Sequence, residues 1–380
     1  MTAFDRHHIT VYEKLWQIRW LFVLLLCVTG GVGVGMLYSA AGGSFSPWAI
    51  RQFVRLTVCL GLMLAVTLTD IRLWLRNAYL IYVSVLGLLV TVEIAGSIGM
   101  GAQRWVNLGF MKLQPSELMK IALVLALARY FHGCSAADAR RLSGLIVPLA
   151  MVAAPTALVL RQPDLGTGLM LLMGGGAMFF AAGVPLWTFA SVVIAGLIAA
   201  PIAWQMLHGY QQQRVLTFLD PESNPLGAGY HIIQSKIALG AGGMFGKGFL
   251  QGTQSHLNFL PEKQTDFIFT MLAEEFGLVG GLMLLGIYAL IIGYGFAIAL
   301  SAKNQFGRLL AIGVTTTFFL YLFINIAMVM GLIPVVGVPL PLVSYGGTAM
   351  MSLMLGFGLV MSVYVHRGVT IPHRGSDDGI

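Results

Sequence analysis

Asp266 is an acid placed where acids are costly. It ends the polar run Glu262-Lys263-Gln264-Thr265-Asp266 and directly precedes the apolar Phe267-Ile268-Phe269. An ionisable group at the edge of a hydrocarbon segment marks a functional site unless something pairs with it. Positions i+3 and i+4 hold Phe269 and Thr270, so its own helix offers no cation. Four further segments carry reactive residue types. Arg104 and Trp105 lie in GAQRWVNLG at 101–109, with Lys112 close behind. QPSELMK at 114–120 sets Glu117 and Lys120 three residues apart on one helical face, where each neutralises the other. RQPDLGT at 161–167 brings Arg161, Gln162 and Asp164, and PLPLVSYGGT at 339–348 brings Ser344 and Tyr345. Arg214 and Lys263 add cations. A carboxylate here suits proton removal from a hydroxyl. Arg and Lys beside it suit phosphate oxygens, which a guanidinium holds in bidentate fashion. For single residues plainer readings compete: Glu117–Lys120 as a structural ion pair, and Arg161 as a snorkelling helix end.

These segments need a scaffold, and composition names it. The 380-residue chain is 57% hydrophobic and only 10% charged, against roughly 25% charged in soluble domains. Stretches of about 20 apolar residues, the length that spans a bilayer, fall at 20–40, 51–69, 77–97, 117–132, 143–161, 165–183, 186–207, 269–300, 308–331 and 346–366. The expected fold is an all-α polytopic membrane protein with about ten transmembrane helices in one domain over 1–380. Arg6, Lys14, Arg19, Arg72, Arg76, Arg129, Arg140, Arg141, Lys303, Arg308, Arg367 and Arg374 fall on one face. Short loops on the other hold only Arg51, Arg55, Arg104, Lys112 and Arg161, so the termini are expected inside the cell. All five reactive segments then reach the external face. A large external loop over 208–266 is too long for a connector, and within it YHIIQSKIAL at 230–239 reads as a short interfacial helix with Ile233 and Ile237 one turn apart.

Other features exclude other functions. The net charge of +7 is scattered between apolar runs, which fits membrane orientation and not nucleic acid. GAGGMFGKG at 240–248 resembles a phosphate loop, but its glycine spacing is one residue short and Gly248 replaces the required hydroxyl. The His residues lack metal-ligand spacing, and Cys27, Cys59 and Cys134 form no disulfide framework. The Met-rich stretch at 169–173 followed by Gly174-Gly175-Gly176 reads as helix packing through small residues.

GAQRWVNLGF (101–110), QPSELMK (114–120), RQPDLGTGLM (161–170), FLPEKQTDFIFTMLAEEFGLVGG (259–281) and GLIPVVGVPLPLVSYGGT (331–348) together resemble the SEDS family of shape, elongation, division and sporulation proteins. The VPLPLVSYGG form and short N-terminal tail are more similar to its elongation branch than to its division branch. The resemblance implies a peptidoglycan glycosyltransferase that polymerises lipid II outside the bacterial inner membrane, beside a class B penicillin-binding protein and other elongation-complex proteins. It puts the catalytic acid on Asp266, and adds Arg104, Trp105, Glu117, Lys120, Asp164 and the turn from Ser344 to Gly347. Gln264 stands where many members have His, so that His is dispensable if this chain is active.

The implied chemistry joins the 4-hydroxyl of one lipid II to the anomeric carbon of another, with inversion, as undecaprenyl diphosphate leaves. A diphosphate leaves without a proton, so one base suffices, unlike the paired carboxylates of inverting glycoside hydrolases. A divalent cation (Mg or Mn) held by a carboxylate is an optional aid; no cofactor is certain. The rival reading is a lipid II flippase, which needs polar groups along a path through the membrane. Only Glu93, Glu274 and Glu275 approach such depth in the sequence. A recruiting scaffold is the third reading, and it would not need Asp266.

Overall fold

Hydrocarbon satisfies no backbone hydrogen bond, so long apolar stretches fold as helices. The computed structural model describes residues 11–95, 97–99, 102–107, 109, 112–135, 141–206, 209–220, 230–257 and 262–369. A short α1 (Val11–Gln17) precedes α2 (Trp20–Ala40), α3 (Ala49–Leu68), α4 (Ile71–Ala95), α5 (Pro115–His132), α6 (Leu142–Arg161), α7 (Leu165–Ala181) and α8 (Leu186–Met206). After the loop segment come α12 (Ile268–Ser301), α13 (Gln305–Val329) and α14 (Gly347–Val365). Every expected span therefore coincides with a helix, within three residues at each end except that α4 begins six residues before the expected 77. Seven of these helices are long and apolar enough to cross a membrane. α5 carries Glu117, Lys120 and Arg129, and α7 has only 17 residues. The chain is a multi-pass membrane protein. Its centre is built from α5, α13 and α14, most of whose residues are buried.

Two prolines inside α6 show how the bundle repairs its own backbone. Pro148 and Pro155 cannot donate to the carbonyls four residues earlier, Gly144 and Met151. Tyr130 donates its hydroxyl to Gly144 O at 2.7 Å, and Tyr82 donates to Met151 O at 2.8 Å. Both freed acceptors are thus taken up by neighbouring helices.

The segment between α8 and α12 folds into α9 (Gly209–Leu219), α10 (Tyr230–Ala241) and α11 (Thr253–His256). The helix expected at 230–239 is present, but Ile233 and Ile237 do not form its packed face. Ile232, Ser235 and Ala238 are buried, while Ile237 is exposed. The reason is polar: Ser235 bonds Thr270 at 2.9 Å and Val329 O at 2.8 Å, pinning α10 to α12 and α13. The glycine-rich run after it also packs on α12. Lys247 N and Gly248 N donate to Glu274 O and Glu275 O at 3.0 Å. A Cβ at Gly242 or Gly246 would run into the carbonyls of Ala273 or Glu275. Close backbone approach explains these glycines, and α12 kinks at Gly277 (φ 66°) where they meet it.

One element was absent from the sequence reading. β1 (Ser97–Gly99), β2 (Ala102–Asn107) and β3 (Lys112–Leu113) form a small antiparallel sheet between α4 and α5. It carries Arg104, Trp105 and Lys112.

Candidate active site

α5 begins where Pro115 occupies the first helical turn, a position that needs no N–H. Glu117 and Lys120 follow on one face, each 4% exposed. Lys120 Nζ lies 2.7 Å from Glu117 Oε1. The second Glu117 oxygen accepts a short hydrogen bond from Tyr321 of α13, whose ring also lies 4.2 Å beneath Lys120 Nζ. The pair is therefore a triad with a tyrosine that no local motif announced.

Asp164 caps α7. Its carboxylate accepts from Thr167 N at 3.2 Å, Thr167 Oγ1 at 3.0 Å and Gln114 Nε2 at 3.3 Å, which ties the start of α7 to the start of α5. Arg104 donates Nε to Gln162 O at 3.0 Å and makes a second, short bond to Pro163 O. The guanidinium thus grips the backbone just before Asp164, and reaches it through carbonyls in place of the carboxylate. Gln162 is itself buried and donates to Leu89 O at 3.2 Å.

Asp266 ends the turn that leads into α12. Three successive residues of this turn are held by neutral hydrogen bonds. Tyr345 N donates to Gln264 O at 2.8 Å, Ser344 Oγ to Thr265 O at 2.5 Å, and Asn325 Nδ2 to Asp266 O at 2.9 Å. Ser344 also accepts from Leu340 N at 2.8 Å, so the segment carrying it and the Asp266 turn form one unit. Gly337 (φ 72°) faces the acid; a Cβ there would sit 3.5 Å from Asp266 Oδ2.

These pieces enclose a cavity of about 340 Å³. Arg104, Trp105, Gln114, Glu117, Lys120, Asp164, Thr167, Glu262, Thr265, Asp266, Tyr321 and Tyr345 line it. Of the residues expected at the site, Arg104, Trp105, Glu117, Lys120, Asp164, Asp266 and Tyr345 converge there. Gln162 and Ser344 stand behind the wall as supports. Lys112 is exposed on β3, outside the cavity lining. Lys263 is half-buried, also outside the lining, and burial pushes its pKa below the usual lysine range. Arg214 falls in α9, but its side chain lies outside the described residues. The sequence reading missed Tyr321 and Asn325, polar residues four apart in the apolar second half of α13, and that spacing was the available signal.

The arrangement offers two half-buried carboxylates, Glu262 and Asp266, on one fixed turn, in a cavity that Arg104 and Lys120 also line from separate elements. No cluster of three His, Cys, Asp or Glu side chains suited to a metal occurs among the described residues. Glu262 and Asp266, both in one turn and both lining the cavity, are the carboxylates of that turn that could hold a hard cation, Glu262 also accepting from Gln264 and Thr265.

The family model described as FTSW_RODA_SPOVE, cell cycle protein, matches residues 18–368. Peptidoglycan glycosyltransferase MrdB of Escherichia coli (strain K12) is 50% identical over 315 residues, covering 82% of this chain and 84% of that one. A chain from the structure described as "Structural coordination of polymerization and crosslinking by a peptidoglycan synthase complex" superposes with a TM-score of 0.81 at 32% identity, covering 92% of this chain and 98% of that one. The rod shape determining protein RodA of Thermus thermophilus superposes with a TM-score of 0.68 at 29% identity, covering 93% and 98%. Motifs, helix order and a match reaching from the first turn before α2 to beyond α14 agree, and the chain belongs to the FtsW–RodA–SpoVE family.

Proposed function

We propose that this chain is a peptidoglycan glycosyltransferase that polymerises lipid II, with Asp266 as the general base. The observation that carries the reading is the convergence of Asp266, Arg104, Lys120 and Asp164, from four separate segments, on one cavity. Asp266 takes the proton of the acceptor 4-hydroxyl as its oxygen attacks the anomeric carbon of the donor. The bond to the undecaprenyl diphosphate breaks on the opposite side, so an α-linked donor becomes a β-1,4 link. Arg104 sets a positive potential where charge gathers on the diphosphate, and Lys120, paired with Glu117, adds N–H donors there. Glu262 and Asp266 are the residues that would hold a divalent cation, and it would supply positive charge against the same diphosphate. Asp164 presents its carboxylate to the cavity, held in place by Thr167 and Gln114, and so bears on substrate as well as on the α7–α5 junction.

The bias of Lys and Arg supports both termini in the cytoplasm of a bacterium and the cavity on the periplasmic face of its inner membrane. The similarity to a chain of a peptidoglycan synthase complex supports a class B penicillin-binding protein as partner. The similarity to a rod shape determining protein supports a role in elongation. The test is polymerisation of labelled lipid II by the purified protein, with and without that partner. Glycan chains from the wild type and none from a folded Asp266→Asn variant are expected. Near-normal chains from Asp266→Asn would remove the base from its role.

A further inference from the structure

Arg55, near the start of α3, is a half-buried cation with unusual surroundings. Its guanidinium carbon lies 4.6 Å from the centroid of Tyr345, a ring that lines the cavity. Among the described residues it has no carboxylate partner, whereas Lys120 is paired with Glu117 and Arg104 is bonded to two carbonyls. Stacking satisfies the flat face of a guanidinium and leaves its edge N–H groups for oxygen acceptors. Gly347 opens α14 beside it, and a Cβ there would sit 3.2 Å from Arg55 Nε. Gly346 provides no side-chain cap, so the positive end of α14 adds to the charge of Arg55. The position is fixed: Gln52, one turn earlier and fully buried, donates to Ser344 O at 3.0 Å.

Resting on the polymerase reading above, we propose that Arg55 on the Tyr345 ring is a second anion subsite, which holds the diphosphate of one of the two lipid-linked substrates. The reaction joins two such molecules, each carrying a diphosphate, so cations on one wall leave the other diphosphate unmatched. Phe53, Val54 and Val58 on the same stretch of α3 are exposed, which leaves an apolar surface for a prenyl chain beside the cation. Phosphate oxygens also occur on ordinary phospholipids. The ring that seats Arg55 belongs to the cavity, and this favours the substrate diphosphate.

The experiment measures binding of undecaprenyl diphosphate, and separately of phosphatidylglycerol, to full-length Asp266→Asn protein in detergent. Adding Arg55→Ala is expected to weaken undecaprenyl diphosphate by about tenfold or more, the loss of a charge-assisted contact, and to leave phosphatidylglycerol unchanged. Tyr345→Phe, which keeps the ring, should bind as the parent, and Tyr345→Leu should follow Arg55→Ala. In the active background Arg55→Lys should raise KM for lipid II more than it lowers kcat. Unchanged undecaprenyl diphosphate binding by Arg55→Ala would overturn the subsite, and equal losses for both lipids would reassign it to phospholipid. If Arg55→Ala fails to fold, Arg55→Lys and the Tyr345 pair decide. Because binding is read without turnover, a wild type that binds but does not polymerise would sink the polymerase reading and leave this result standing.

Discussion

Replacing Lys120 with Met isolates the energetics of the buried triad. The substitution keeps the volume and removes the charge, leaving Glu117 4% exposed with its cation gone and only the Tyr321 hydroxyl beside it. Breaking a buried ion pair from one side costs about 3–5 kcal/mol. The triad lines the cavity, where water can reach it, so the lower figure of about 3 kcal/mol applies. At about 2 °C per kcal/mol for a chain of this size, the unfolding midpoint should fall by roughly 6 °C. The neutral double variant Glu117→Gln with Lys120→Met removes both charges and keeps an acceptor for Tyr321, so it should return close to wild-type stability. The charge swap Glu117→Lys with Lys120→Glu restores an ion pair but puts a carboxylate over the Tyr321 ring. It forfeits a cation–π contact worth about 1–2 kcal/mol and should recover only in part. Thermal unfolding of the three detergent-purified variants beside the wild type, followed by intrinsic fluorescence, reads the series. A Lys120→Met protein that melts with the wild type, or a neutral double as unstable as the single, would refute the reasoning and move the pair from structure to substrate binding.

Asp164→Asn should leave the melting point nearly unchanged, because Asn caps a helix as well as Asp, while lipid II turnover falls; a proportional loss of both would make Asp164 purely structural. Arg104→Lys keeps the charge but cannot hold the Gln162 and Pro163 carbonyls together, so lipid II titrations should show weaker use of substrate with the fold preserved. Tyr82→Phe and Tyr130→Phe each orphan a carbonyl freed by a proline in α6, and each should cost about 1–3 kcal/mol in thermal unfolding. Removing the prolines as well, with Pro155→Ala or Pro148→Ala, should return most of that loss. Burial holds the pKa of His366, just past the end of α14, below its ordinary 6.5. The unfolded chain therefore binds the proton first as pH falls. Stability should be level above about 6.5, decline as pH drops from there through the folded pKa, and level off below it; His366→Gln should flatten that slope in melts taken across pH.

The helices were legible because hydrocarbon imposes length and apolarity together, and the ten stretches needed no tertiary information. The grouping of Arg104, Lys120, Asp164 and Asp266 was legible through topology alone, since alternating spans deliver their segments to one end. What the sequence hid were partners far apart along the chain. Tyr321 and Arg55 look like ordinary span residues until Glu117 and Tyr345 are beside them. The face of α10 was misjudged because hydrophobicity ranks Ile above Ser, whereas Ser235 buries to answer Thr270 and Val329. The sheet at 97–113 is built from short, glycine-flanked strands with no alternating pattern long enough to read.

The choice between enzyme and carrier turns on the membrane-depth acids. A carrier would need Glu274 and Glu275 to face a polar route continuous with the site. Both are fully buried in α12. Glu274 accepts from Lys247 at 3.0 Å, Thr253 at 3.1 Å and Gln254 N at 2.9 Å, and Glu275 takes a short bond from Ser39 of α2. Neither belongs to the lining of the cavity that holds Asp266. Glu274 clamps the 247–254 segment, and one oxygen of Glu275 ties α2, onto the kinked helix. The same helix delivers Asp266 two turns earlier, on a turn whose backbone is held at three consecutive residues. Acids used as clamps beside a rigidly held acid suit chemistry at a fixed point, where a base must meet a hydroxyl within hydrogen-bond reach. A transport path would instead have to open at the clamps, and each of those buried pairs opposes it.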